Sequence, residues 1–189
     1  MQGVLIGLAG KARTGKDTAA TYFEQAAGLE PMSFAAPIKQ VICDLFNLDG
    51  RHTNGDLKET LIPGIGKSPR QLFQTLGTEW GRDCVHPDVW LHVAGVWLSK
   101  LRAEYTSQGA RFAGAVFSDV RFENEAQWIR NQGGVVIHIR RDLAPVVSEH
   151  ISEQGVLFEA GDLKVSNHGT LDEFYVKLGA TLKEIEATA

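Results

Sequence analysis

Three observations predict an α/β protein built on a five-stranded parallel sheet. Short apolar runs such as Val4–Ala9 and Val135–Ile139 are continuous rather than alternating, as in strands covered on both faces. These runs are separated by stretches with apolar residues at helical spacing, which gives parallel strands joined by right-handed crossover helices. Between the first strand and the first helix stands Gly10-Lys11-Ala12-Arg13-Thr14-Gly15-Lys16, whose spacing is that of a phosphate-binding loop. At 189 residues, 43% hydrophobic and 22% charged, the chain is long enough for one such core, and a single domain over residues 1–189 is expected.

Val4–Ala9 is the first strand. From Lys16 onward Ala19, Tyr22, Phe23 and Ala26 recur at helical spacing, and Gly28 stands where a C-terminal cap belongs. Pro31–Phe34 reads as the second strand, followed by a helix from Ala36 through Phe46 with Pro37 acceptable in its first turn. Residues 47–67 carry Asp49-Gly50, Asn54-Gly55 and Pro63-Gly64-Ile65-Gly66, punctuation too frequent for a long element, and are expected to be loop. Helices are expected from Ser68 through about Trp80 and from Pro87 to Tyr105, the second marked by Trp90, Val93, Ala94, Trp97, Leu98 and Leu101 on one face. Ala113–Asp119 is the third strand, Phe122–Gln132 a helix closed by Gly133, Val135–Ile139 the fourth strand and Leu163–Val165 the fifth. Thr170-Leu171-Asp172-Glu173 is a capping box opening the last helix, whose stripe is Leu171, Phe174, Tyr175, Leu178, Leu182 and Ile185.

The net charge of -4 argues against a polymeric nucleic-acid partner, so positive charge is expected to concentrate where small phosphates bind. Cys43 and Cys84 lack metal-ligand spacing, and a reduced, cytoplasmic setting is the expectation. The apolar N-terminal run is too short for a membrane span and has no basic residue ahead of it, so neither anchor nor signal peptide is expected.

Ligands of such sheets bind at the carboxyl ends of the strands, where the loop, Asp119 and Arg140 fall. In the loop, glycines let successive backbone N–H groups turn inward around an anion at a helix N-terminus. Lys16 would reach the β and γ phosphates of a nucleoside triphosphate. Asp17 stands where a Ser or Thr normally supplies a hydroxyl to Mg²⁺. Thr18 is turned a further angle of about 100°, so the Asp17 carboxylate is the expected metal contact, directly or through water. Asp119 is placed like the acidic residue that holds Mg²⁺ through water, or else is a helix N-cap.

The arginines decide the reaction. Arg13, Arg121, Arg140 and Arg141 gather near one strand edge, while Arg70 and Arg82 lie in the helical insert between the second and third strands. An acceptor that is itself a phosphate, with a second pKa of about 6, is already ionised and needs neutralisation rather than a general base. Arg forks provide that, whereas an alcohol acceptor would call for a carboxylate base. Each arginine taken singly could equally be solvated or paired with an acid such as Asp142. Ser33, Phe34, Lys39, Lys58, Trp80 and Trp90 belong to the insert, which could cover the acceptor, although aromatics at helical spacing serve equally as core. His150 and Glu153 have spacing that would put them on one helical face, and with no third ligand in view a lid or capping role is expected there rather than a metal site. Asn167-His168-Gly169-Thr170 could wrap an adenine with backbone groups, or be only a capped turn.

Taken together, Gly10 to Asp17, Ser33 to Lys39, Ser68 to Asp83, Ser118 to Glu125, His150 to Glu153 and Asn167 to Leu171 resemble the corresponding motifs of the bacteriophage deoxynucleoside monophosphate kinases. The resemblance covers nearly the whole chain; it extends more weakly to animal-type phosphomevalonate kinase, and dephospho-coenzyme A kinases are similar only at the ends. It implies a P-loop nucleoside monophosphate kinase-like three-layer fold. The core would comprise residues 1–34, 111–140 and 162–189, with a helical acceptor-binding insert over about 35–110 and a lid over about 141–161. It implies ATP and Mg²⁺ as cofactors and a small-molecule deoxynucleoside monophosphate as partner, with no membrane or polymeric nucleic acid and a homodimer left open. For a phage protein the setting is the host cytoplasm. Carried over by position, Gly10, Lys11, Ala12, Arg13, Thr14, Gly15, Lys16, Asp17 and Thr18 would bind ATP phosphates, with Asn167 and Gly169 on the adenine side. Lys16, Arg121, Arg140 and Arg141 would clamp the reacting phosphates, Asp17 and Asp119 would hold the metal, and Ser33, Phe34, Lys39, Arg70, Trp80, Arg82 and Trp90 would line the acceptor side. The rival readings are a kinase for another small phosphate such as phosphomevalonate, and a non-catalytic nucleotide-binding switch.

Overall fold

In a computed structural model, which describes residues 3–141 and 155–188, the apolar run Val4–Ala9 forms strand β1 at the centre of a five-stranded sheet. The other strands are β2 (Glu30–Met32), β3 (Gly114–Val120), β4 (Val135–Arg140) and β5 (Leu163–Ser166), in the order β2-β3-β1-β4-β5. Every pairing is parallel, with Val4 beside Gly114, Ile6 beside Val135 and Ile137 beside Leu163. Parallel neighbours require crossover connections, and helices α1 (Lys16–Ala27), α6 (Glu123–Asn131) and α7 (Leu171–Thr188) flank the sheet.

The alternation of side chains along β1 assigns the layers. Ile6 and Leu8 join Ile137, Ile139, Phe23, Phe174 and Leu178 in a core beneath α1 and α7. Gly7 points the other way, where a Cβ would lie 3.3 Å from Ile129 of α6. Phe117 and Trp128 meet edge to face at 5.5 Å. Each fully buried side chain of this kind contributes roughly 2–3 kcal/mol of transfer free energy, which is why β1 needs no polar face. The cap expected at Gly28 is present, at φ 64 with its N–H on the Glu24 carbonyl. The capping box is present too: Thr170 N–H donates to Glu173 Oε2 and Glu173 N–H to Thr170 Oγ1.

The chain divides into two compact units, Met1–Ser33 with Lys100–Ala189, and Phe34–Ser99. The second holds α2 (Ala36–Phe46), α3 (Gly50–Thr53), α4 (Pro69–Gln74), a π-helix (Thr75–Val85) and the start of α5 (Val89–Ser107). Two features correct the sequence reading. Within the expected loop 47–67, Asp49 caps a short helix by accepting the Arg51 N–H at 3.0 Å, so Asp49-Gly50 begins an element instead of merely turning the chain. The helix expected to end near Trp80 runs on to Val85 with a widened ladder, seen at its end where the His86 N–H reaches the Gly81 carbonyl. The buried Trp90 lies against this helix: its indole N–H donates to the Gly77 carbonyl at 2.7 Å, and a Cβ on Gly81 would stand 2.7 Å from its ring. Among the described residues no helix is long and apolar enough to cross a membrane.

Candidate active site

The turn after β1 cannot be built from ordinary residues. Gly10 sits at φ 147, and a Cβ there would lie 2.4 Å from the Ile139 carbonyl oxygen of β4. Gly15 sits at φ 103, and a Cβ there would lie 2.5 Å from Asn167 Nδ2. Between them Arg13 holds a left-handed backbone, φ 62, a conformation that costs a non-glycine residue energy and that recurs at ligand sites. Thr14 is buried and donates its hydroxyl to the Lys11 carbonyl, closing the loop on itself. The Gly15 carbonyl accepts the Ala19 N–H, so α1 starts at the loop and directs its positive end there. Lys16 Nζ folds back over the loop onto the Gly10 and Lys11 carbonyls, at 2.7 and 2.8 Å.

Beside the loop is a cavity of about 390 Å³. Arg13, Gly15, Asp17 and Thr18 form its wall on the loop side; Arg141, Asn167 and Gly169 form the wall on the side of β4 and β5. Residues far apart in sequence thus meet at the carboxyl ends of the strands, two guanidinium groups and one carboxylate among them. Asn167 ties the two walls together: its backbone N–H donates to the Arg140 carbonyl at 2.8 Å, and its side-chain Nδ2 to the Thr14 carbonyl at 2.9 Å. Thr18, passed over as a metal ligand in the sequence reading, lines the cavity together with Asp17.

Asp119, near the end of β3, accepts the hydroxyl of Ser33 at 2.8 Å, so the second and third strands join at their carboxyl ends through side chains assigned from sequence to metal and to acceptor. Arg121 follows on a turn fixed by Glu125, a buried carboxylate accepting the backbone N–H groups of Arg121 and Phe122 at 2.8 and 3.1 Å. Arg140 ends β4 exposed to solvent. Among the described residues no three His, Cys, Asp or Glu side chains are arranged to hold a metal by themselves. Asp17 lines the cavity and Asp119 lies near the end of β3, each a hard oxygen donor of the kind that Mg²⁺ takes.

In the Phe34–Ser99 unit, Phe34 is buried and Lys39 Nζ reaches Asn54 Oδ1 at 3.1 Å. Arg70 pairs with Glu59 at 3.0 Å, Arg82 donates to the Pro87 carbonyl, and Trp80, on the π-helix, is 51% exposed. Trp90 serves this unit's packing through Gly77. The lid expected over about 141–161 falls largely, with His150 and Glu153, on residues 142–154, outside the described residues.

A buried polar cluster next to β5 had no counterpart in the sequence reading. Asp162, 1% exposed, receives Arg130 Nη2 at 2.7 Å and Nε at 3.1 Å, His138 Nε2 at 2.9 Å and the Glu159 N–H at 2.9 Å. Burial alone would raise the Asp162 pKa, but the hydrogen bonds from Arg130, the Glu159 backbone and His138 outweigh it and hold the carboxyl below its ordinary range. The hydrogen bond to Asp162 raises the pKa of Arg130 in turn. Arg130 also meets Glu123 and Glu159, at 3.0 and 3.1 Å, and the Leu157 carbonyl. The cluster therefore fixes the approach to β5, the strand that delivers Asn167 to the loop.

The sequence is similar to those of known proteins. A family model for deoxynucleotide monophosphate kinase matches residues 4–68 and 66–178. A candidate deoxynucleotide monophosphate kinase of Acanthamoeba polyphaga mimivirus is 32% identical over 186 residues, spanning 93% of this chain and 94% of that one. The deoxynucleotide monophosphate kinase of Escherichia phage RB69 is 33% identical over 147 residues, 74% of this chain and 57% of the phage chain. The family model takes in β1, the loop, every strand of the sheet and the start of α7, the mimiviral match runs nearly end to end, and the chain accordingly belongs to the deoxynucleotide monophosphate kinase family.

Proposed function

We propose that this chain transfers the γ-phosphoryl group of ATP to a deoxynucleoside 5′-monophosphate, giving ADP and a deoxynucleoside diphosphate. The observation that carries the reading is the cavity in which the phosphate loop, Asp17, Arg13 and Arg141 face one another. The relatives' names supply the acceptor class. The acceptor phosphate, with a second pKa of about 6, presents an ionised oxygen and needs no proton removed. The protein's work is to bring two polyanions together and to neutralise them.

The loop from Gly10 to Thr18 takes the donor phosphates on its backbone N–H groups, and Lys16 exchanges its two carbonyl partners for phosphate oxygens. Arg13 and Arg141, with Arg121 just after β3 and Arg140 at the end of β4, fork onto phosphate oxygens and stabilise charge on the transferring group. Asp17 and Asp119 would hold Mg²⁺, which would supply charge neutralisation for the donor phosphates. Gly169 borders the adenosine side, while Asn167, expected there from the sequence, is tied to the loop through the Thr14 carbonyl. The Phe34–Ser99 unit, with Ser33 at its junction, receives the acceptor through Phe34, Lys39, Arg70, Trp80, Arg82 and the helix that Trp90 supports.

The test is chromatography of nucleoside diphosphates after incubation with ATP, Mg²⁺ and, separately, each deoxynucleoside monophosphate, the ribonucleotides and phosphomevalonate. Product from at least one deoxynucleotide supports the reading. Turnover of phosphomevalonate alone, or ATP bound without transfer to any acceptor, refutes it.

A further inference from the structure

We infer that Asn167 is a positioning residue for the phosphate loop, whose side-chain amide holds the Thr14–Gly15 peptide in the orientation that anion binding requires. The inference rests on the donor half of the function proposed above. The Asn167 Nδ2 group donates to the Thr14 carbonyl at 2.9 Å, and only the N–H side of the amide can face that oxygen. A peptide unit is planar and trans, so a carbonyl fixed toward Asn167 fixes the Gly15 N–H on the opposite side. In a loop of this kind that N–H is one of the donors turned to phosphate.

Two further observations show that the contact is built into the fold. The Asn167 amide occupies the space above Gly15, where any Cβ would meet Nδ2 at 2.5 Å, so the absence of a side chain at Gly15 serves this contact as well as the φ of 103. The backbone of Asn167 is held at the same time, its N–H on the Arg140 carbonyl at 2.8 Å. The preceding Ser166 is fastened by Lys177 Nζ, which reaches both the Ser166 carbonyl and hydroxyl, at 3.0 and 2.9 Å. Asn167 is thus a short rigid strut between the end of β4 and the loop, 153 positions away in sequence from the carbonyl it holds. This role differs from a contact with an adenine, which would not require the Thr14 carbonyl to be held.

The two roles separate experimentally by using probes that carry only one half of the donor. Mg²⁺-tripolyphosphate has no base and adenosine has no phosphate; binding of each is measured by calorimetry to the full chain and to the Asn167→Ala and Asn167→Asp variants. Loss of one hydrogen bond that orients a binding group predicts tripolyphosphate affinity about fivefold weaker in the Ala variant. Asn167→Asp keeps the shape but sets an acceptor against the Thr14 carbonyl, and a loss at least as large is expected there, so one well-folded variant is enough. Adenosine affinity is expected to stay within about twofold in both, and in turnover the ATP KM is expected to rise while the acceptor KM holds. Unchanged tripolyphosphate binding in a folded variant overturns the inference, as does a loss confined to adenosine or an unmodified chain that binds no tripolyphosphate. The proposed function is judged separately, by whether the unmodified chain phosphorylates any deoxynucleotide.

Discussion

Replacing Asp162 by Asn keeps the size of the side chain and removes its charge at a buried polar position just before β5. The carboxylate is 1% exposed and receives four donors, two of them from an Arg130 side chain that is only 12% exposed. An amide presents one oxygen and one NH₂ group, so at least one donor faces another donor and the guanidinium loses its buried counter-charge. Breaking a buried pair on one side costs about 3–5 kcal/mol. Arg130 retains Glu123 and Glu159, which places the expected loss near the lower end, about 3 kcal/mol. For a chain of this length that corresponds to a melting temperature roughly 6–12 °C lower. The measurement is calorimetric or urea unfolding of both proteins at pH 7, repeated toward acid. Because the folded pKa of Asp162 is lowered, its contribution is whole above the unfolded value of about 3.9 and is lost as pH falls through the lower folded value. The gap between the two proteins should therefore persist down to pH about 5 and narrow only below about 4. A loss under about 1 kcal/mol at pH 7 would put the pair in the class of exposed surface bridges and refute the reasoning.

Three other substitutions follow from the geometry. Lys16→Ala leaves the fold intact by circular dichroism and lowers kcat/KM with any accepted nucleotide by at least about 100-fold, the scale of removing one transition-state charge contact; a variant with full turnover would exclude Lys16 from the chemistry. Trp90→Phe withdraws the indole N–H from the Gly77 carbonyl and should cost about 1–3 kcal/mol in urea unfolding, with the acceptor KM rising more than the ATP KM. Thr170→Ala removes the hydroxyl that receives the Glu173 N–H at the start of α7 and should cost about 1 kcal/mol, with kcat unchanged within about twofold.

Legibility in the sequence followed the range of the interactions. The strand, loop and helix from Val4 to Ala27 declare themselves within two dozen residues, through an apolar run, two obligatory glycines and a lysine, and the structure reproduces them. The same holds for Gly28 and for the Thr170 to Glu173 box, where donor and acceptor lie three or four residues apart. Asp49 was read as turn chemistry because Asp-Gly serves a turn and an N-cap equally well; only the helix that follows decides. The π-helix was out of reach, since its extra residue per turn is held in part by Trp90, thirteen positions from its partner Gly77. Glu125 left a faint signal, a glutamate three residues past a helix start, without the Ser or Thr that completes the usual pair. The Asp162 cluster left none: His138 lies inside an apolar run and Arg130 on a polar helix face, and they converge only because β4, β5 and α6 are neighbours.

The sheet order has a bearing on how copies of this chain behave toward one another. Among the described residues the outermost strands are β2 and β5, of three and four residues, while the inner strands have six or seven. Pro31 in β2 has no N–H to offer, and Lys164 in β5 carries a charge that would have to be stripped of water against an incoming strand. Rims this brief and this interrupted are poor templates for adding a sixth strand from another molecule. Edge-to-edge growth of the sheet, a usual route to insoluble fibres, is thereby blunted at both of the rims described.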